Sequence, residues 1–60
     1  MMEIRNARLI RTGVIECEIN HPDLGWLPFG AVNGDPGLPG RVYAAAIGVA
    51  VDVRGASNDP

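Results

Sequence analysis

The sequence predicts a small α+β fold: a three-stranded antiparallel meander covered by one short helix, with room for an extra C-terminal strand. Three observations carry this reading. Ile15, Cys17 and Ile19 alternate with Glu16, Glu18 and Asn20, the period-2 pattern of a half-buried strand. Gly- and Pro-containing turns divide the chain at Thr12-Gly13, at His21-Pro22-Asp23-Leu24-Gly25 and at Asn33-Gly34. Arg41 to Ile47 is rich in residues that accept a helix.

The first two strands form a hairpin whose register follows from face matching. A two-residue loop at Thr12-Gly13 places Arg8 opposite Cys17 and Leu9 opposite Glu16, mixing polar and apolar faces. A three-residue loop with a left-handed Gly13 instead pairs Leu9 with Ile15 and Ala7 with Cys17, leaving one face apolar. On the other face Arg8 meets Glu16, a cross-strand pair contributing ~0.2–1 kcal/mol, and Asn6 meets Glu18. A helical turn carrying Arg5, Arg8 and Arg11 is the competing reading, disfavoured by Ile4, Thr12 and the missing cap.

Trp26-Leu27-Pro28-Phe29 is the third strand. Pro28 has no backbone donor, so this strand belongs at a sheet edge or turns its proline nitrogen away from its neighbour. Leu27 and Phe29 share one face and Trp26 takes the other. Arg41 to Ile47, with Gly40 as N-cap and Gly48 ending it, is the helix that covers the sheet. Val49, Val51 and Val53 alternate with Ala50 and Asp52, which fits a fourth strand available for pairing with another chain. Residues 1–53 make one domain and 54–60 a loose tail.

Composition narrows the function classes. A chain of 60 residues buries roughly 60% of its unfolded surface, so stability is marginal and a partner or oligomer is expected. Five Lys+Arg, all arginine and scattered among seven acids, give a net charge of −2 and disfavour nucleic acid. One cysteine excludes an intrachain disulfide and leaves an interchain bridge and the redox compartment open. No signal peptide is expected after Met1-Met2-Glu3-Ile4-Arg5, and the apolar run from Val42 to Val51 falls short of the ~18 residues a bilayer span needs, so no membrane insertion is expected.

Candidate chemistry is sparse. Cys17, His21 and Asp23 have the residue types of a metal site, but on an extended chain Cys17 and His21 stand about 13 Å apart. The simpler roles are a small buried residue for Cys17 and a turn residue for His21. Glu16 and Glu18 share a strand face without a pocket to tune them as acid and base. Gly34 to Val42 reads as three G-X-Y triplets, which is a Gly/Pro connection opened by the Asn33-Gly34 turn or, as a minor alternative, an extended trimer-compatible segment. Neither catalysis nor a cofactor nor a metal is expected. Trp26 and Phe29, flanking Pro28, carry the largest apolar surface and serve either as core or, with Pro28 between them and Tyr43 behind them, as anchors of an interface.

The run Cys17-Glu18-Ile19-Asn20-His21-Pro22, then Gly25-Trp26-Leu27-Pro28-Phe29, Asp35-Pro36 and Gly40-Arg41-Val42-Tyr43 resembles short proteins encoded in bacteriophage and prophage tail-fibre regions. The resemblance covers Gly13 to Ile47; the triplet loop and the Val-rich end depart from the pattern. It implies a setting and no activity: a structural or interaction component of a phage particle at the tail tip, baseplate or tail fibre, docking onto larger subunits. Such a component is assembled in the host cytoplasm and resides in the virion tail. The alternatives are a small chaperone for fibre assembly that stays out of the virion, and a capsid decoration protein.

Overall fold

The computed structural model describes residues 3–54. Strands β1 (Ile4–Arg11), β2 (Val14–His21) and β3 (Gly25–Val32) are followed by helix α1 (Leu38–Ala46) and the short strand β4 (Val51–Asp52). They build an α+β fold with one four-stranded mixed sheet in the order β3-β2-β1-β4. Its shortest dimension is 16 Å, enough for one sheet and one helix.

β1, β2 and β3 form the expected antiparallel meander. The face pairing also holds near the first turn, where Leu9 opposes Ile15 and Arg8 opposes Glu16. The route to that register differs from the three-residue loop. Arg11 pairs with Val14, so Thr12-Gly13 is a two-residue connection, and an irregularity at Ile10 between Leu9 and Arg11 restores the face matching. Gly13 has φ +80°, a conformation that costs a residue with a Cβ about 1–2 kcal/mol.

A second irregularity between Arg5 and Arg8 corrects the far end of the hairpin. Arg5, not Asn6, lies opposite Glu18, and Ala7 has no direct partner in Cys17. Asn6 absorbs the extra residue with φ 54°, which asparagine tolerates better than most side chains.

β3 sits at the sheet edge, where Pro28 costs no ladder bond to a further strand. It runs on to Val32, three residues beyond Phe29, and pairs with β2 without interruption from His21–Gly25 to Val14–Val32. Beyond it, the chain turns at Asn33-Gly34 and Asp35 donates its amide to the Val32 carbonyl at 3.3 Å. The Gly/Pro connection is therefore real but short. Leu38 to Val42 is helical, which removes the extended trimer-compatible alternative.

The helix starts earlier than Arg41 and its N-cap is Gly37, not Gly40. Pro39 stands in the first turn, where a missing N–H breaks no helical bond. The Asp35 carboxylate accepts the Gly37 amide at 2.7 Å and holds the entry. At the other end the helix closes at Ala46, and Gly48 lies in the turn beyond, where Val49 and Ala50 donate to the Ala46 carbonyl.

The C-terminal strand is the largest departure. It is limited to Val51–Asp52 and runs parallel to β1 within the same chain, pairing Arg8 with Val51 and Leu9 with Asp52. Since β1 and β3 both oppose β2, β3 and β4 run in the same sense. Parallel strands need a crossover, which α1 supplies. The amide of Val53 extends the contact by donating to the Leu9 carbonyl at 3.1 Å. Arg54, at the border of the expected tail, bonds Asp52 and the Thr12 hydroxyl; residues 55–60 of that tail lie outside the described residues.

The core lies between the sheet and α1. It comprises Ala7, Ile15, Cys17, Ile19 and Ala31 from the sheet and Val42 and Ala46 from the helix. Three alanines and a cysteine in that set leave little apolar volume, and the largest fully buried side chains are Ile15 and Val42. Each such side chain contributes about 1.5–3 kcal/mol on burial, so a few contacts hold the layers together.

Candidate interaction surface

Among the described residues, α1 covers one face of the sheet and the other is left open. Alternation along the strands decides which side chains each face receives: Leu27, Phe29 and Ala31 of β3 lie on the helix side with Ile19, Cys17 and Ile15 of β2, and Trp26, Pro28 and Gly30 lie on the open side with Asn20, Glu18 and Glu16.

The four residues proposed as anchors are therefore divided. Trp26 and Pro28 belong to the open face. Phe29 and Tyr43 pack against the core on the helix side, Tyr43 from α1 itself. Tyr43 shares the helix side with Phe29 and not with Trp26. The choice between core and surface resolves differently for the two large rings: Phe29 borders the core, and Trp26 is outside it, half-buried on the open face.

A charged lattice surrounds the indole. The guanidinium of Arg5 lies 4.1 Å from the centroid of the Trp26 ring. Its Nε donates to Glu18 Oε1 at 2.7 Å, and the Asn6 side-chain amide donates to the same oxygen at 2.9 Å. These two bonds, Arg5 first, hold the Glu18 carboxyl below its ordinary value. Arg8 pairs with Glu16 at 3.1 Å, as face matching requires. Glu16 and Glu18 are thus both engaged by arginines, and Glu18 is kept ionised, the opposite of what a general acid needs.

Between these pairs and β3 is an open depression of about 720 Å3, lined by Asn6, Arg8, Glu16, Cys17, Glu18, Pro28, Phe29 and Gly30. Gly30 contributes to the opening because it carries no side chain, and a Cβ built there meets nothing within 4 Å. The result is a shallow neutral surface with arginine–carboxylate pairs on one side and an aromatic plate beside it. On this face the indole supplies apolar area beside charges that are already paired with one another.

Cys17 and His21 have the simpler roles. The Cys17 thiol is buried beneath α1, donates to the Phe29 carbonyl at 3.6 Å and has its pKa raised by burial. His21 Nδ1 accepts the amides of Asp23 and Leu24 at 3.1 and 3.2 Å, closing the turn into β3. Among the described residues no three Cys, His, Asp or Glu side chains gather closely enough to hold a metal. Also among them, no helix is long and apolar enough to cross a membrane.

Arg5 is the residue of this surface that sequence reasoning missed. Its signal was indirect: Asn6 is suited to a left-handed bulge, and a bulge there moves Arg5 opposite Glu18 and beside Trp26. Comparison with models of known protein families, with curated proteins and with solved structures finds no match.

Proposed function

We propose that this chain is a structural interaction module of a bacteriophage particle, at the tail tip, baseplate or tail fibre, that docks its open sheet face onto a larger subunit. The setting rests on the resemblance of Gly13 to Ile47 to short tail-fibre-region proteins. The docking role rests on one observation: the only tryptophan lies on the open face with the Arg5 guanidinium over its ring instead of filling a core that has few large side chains. A binding role also agrees with the arginine pairing of Glu16 and Glu18, which neutralises the face without leaving a carboxylate poised for proton transfer.

The test is co-purification of tagged chain from cells assembling the particle. Wild-type chain is expected to retain a tail or fibre subunit. Trp26→Ala is expected to release it while circular dichroism keeps the strand content and the melting transition falls by only several degrees, the loss of the Arg5 contact, because Trp26 lies outside the core. Retention of the same subunit by Trp26→Ala contradicts docking through this face. Recovery of a fibre subunit only from unassembled material points to the chaperone alternative.

A further inference from the structure

The outer edge of β3 has a bonding pattern that is complementary to itself. The amide of Asn33 donates to the Gly13 carbonyl at 2.9 Å, which marks Gly13/Asn33 as a bonded position of the β2–β3 ladder. Bonded and non-bonded pairs alternate in an antiparallel ladder, so Ile15/Ala31, Cys17/Phe29, Ile19/Leu27 and His21/Gly25 are the other bonded positions. The backbone groups of Trp26, Pro28, Gly30 and Val32 consequently point away from β2, over the free edge. The missing donor of Pro28 falls on that outward side. Of these groups, the Val32 carbonyl takes the Asp35 amide and has a second lone pair free.

We propose that two copies of this chain pair antiparallel through their β3 edges, with Pro28 opposite Gly30 and Trp26 opposite Val32 of the second copy. In this register the outward donors of Trp26, Gly30 and Val32 reach the carbonyls of Val32, Pro28 and Trp26 across the two-fold axis. Only the Gly30 carbonyl facing the Pro28 nitrogen, one on each copy, is left without a strand donor. The prolyl ring meets a glycine, around which a Cβ would find nothing within 4 Å. Centring the axis on Pro28 itself instead sets ring against ring and loses both bonds of the central pair.

Charge agrees with hydrogen bonding. The segment Gly25–Val32 contains no charged residue, so the pairing brings no like charges together. Val32, 42% exposed in the single chain, gains the indole of the second copy as a neighbour on the open face. The strand supplies to itself the offset between a donor-free position and a side-chain-free one, which is why a second copy is the occupant. The opposite edge, β4, has two residues and offers no comparable length.

Sedimentation equilibrium of the full chain, combined with amide hydrogen exchange, tests this. The expected result is a concentration-dependent dimer in which the amides of Trp26, Gly30 and Val32 gain protection on dimerisation, while those of Leu27, Phe29 and Ala31 are protected throughout. Gly30→Pro should abolish the dimer and leave the Leu27, Phe29 and Ala31 protection in place. Pro28→Thr restores a donor on each copy and should tighten the dimer by about tenfold or more. A chain that stays monomeric into the millimolar range overturns the proposal. So does a dimer whose dissociation constant is unchanged by Pro28→Thr, a readout that stands even if Gly30→Pro fails to fold.

Discussion

Arg5 bridges Trp26 and Glu18: its guanidinium lies 4.1 Å from the indole centroid while its Nε donates to the carboxylate at 2.7 Å. One side chain thus orients the largest ring of the chain and ties β1 to β2. Removing it as Arg5→Ala should cost about 0.5–1 kcal/mol through the lost cation–π contact and shift tryptophan emission to longer wavelength as water reaches the ring. Urea denaturation followed by intrinsic fluorescence checks both, and an unchanged emission maximum would mean that Arg5 does not shield Trp26 in solution.

Asn6 makes that bridge possible, since the bulge at its φ of 54° advances Arg5 to Glu18. Asn6→Gly and Asn6→Ala both lose the bond to Glu18, so the difference between them isolates the backbone. Alanine should be the less stable by about 1 kcal/mol, measured as a shift in denaturation midpoint at constant slope.

Gly40 separates helix propensity from packing. Replacing a glycine within a helix by alanine normally gains roughly 1 kcal/mol. Here the added Cβ would stand 1.7 Å from the Asp35 carbonyl oxygen and 2.8 Å from its carbon, both backbone atoms of the helix entry. The clash wins, and Gly40→Ala should destabilise by about 1–3 kcal/mol in a thermal melt. A raised melting temperature would show that the Asp35 loop does not lie against α1 as described.

Asp52 links stability to acid. The Arg54 side chain, and then the Arg54 amide, hold its carboxyl down from 3.8 to about 2. A depressed folded-state value stabilises the fold above the unfolded value and is lost as pH falls through the folded one. Stability should therefore decline between pH 3.8 and about 2, and Asp52→Asn should flatten this limb in melts across that range. Because the pair is exposed, the effect should be modest and should shrink in high salt.

Much of the sheet was legible because each strand has a polar and an apolar face. Ile15, Cys17 and Ile19 against Glu16 and Glu18 identify β2, and Leu9 and Arg8 then find their partners by matching faces. Pro28 announces an edge through its missing donor. What alternation cannot show is where the chain spends an extra residue: Ile10 and Asn6 each shift the register locally, and the second shift exchanged Asn6 for Arg5 opposite Glu18. The helix start was obscured because Gly37, Pro39 and Gly40 read as loop residues, while proline is harmless in a first helical turn. The direction of β4 depends on where α1 returns the chain. Two exposed residues cannot encode that by themselves.

The position of Trp26 on a strand face was readable, but its exclusion from the core was not, since only the seating of α1 on the opposite side decides it. Phe29, three residues along the same strand, goes under the helix by parity alone.

Quantitative mass spectrometry of particles purified from cells that express this chain tests the proposed role most directly. Recovery of the chain at a fixed, symmetric ratio to the tail-tube subunit is the expected result. Its absence from intact particles, with the chain present in the same lysate, would contradict a structural place in the virion.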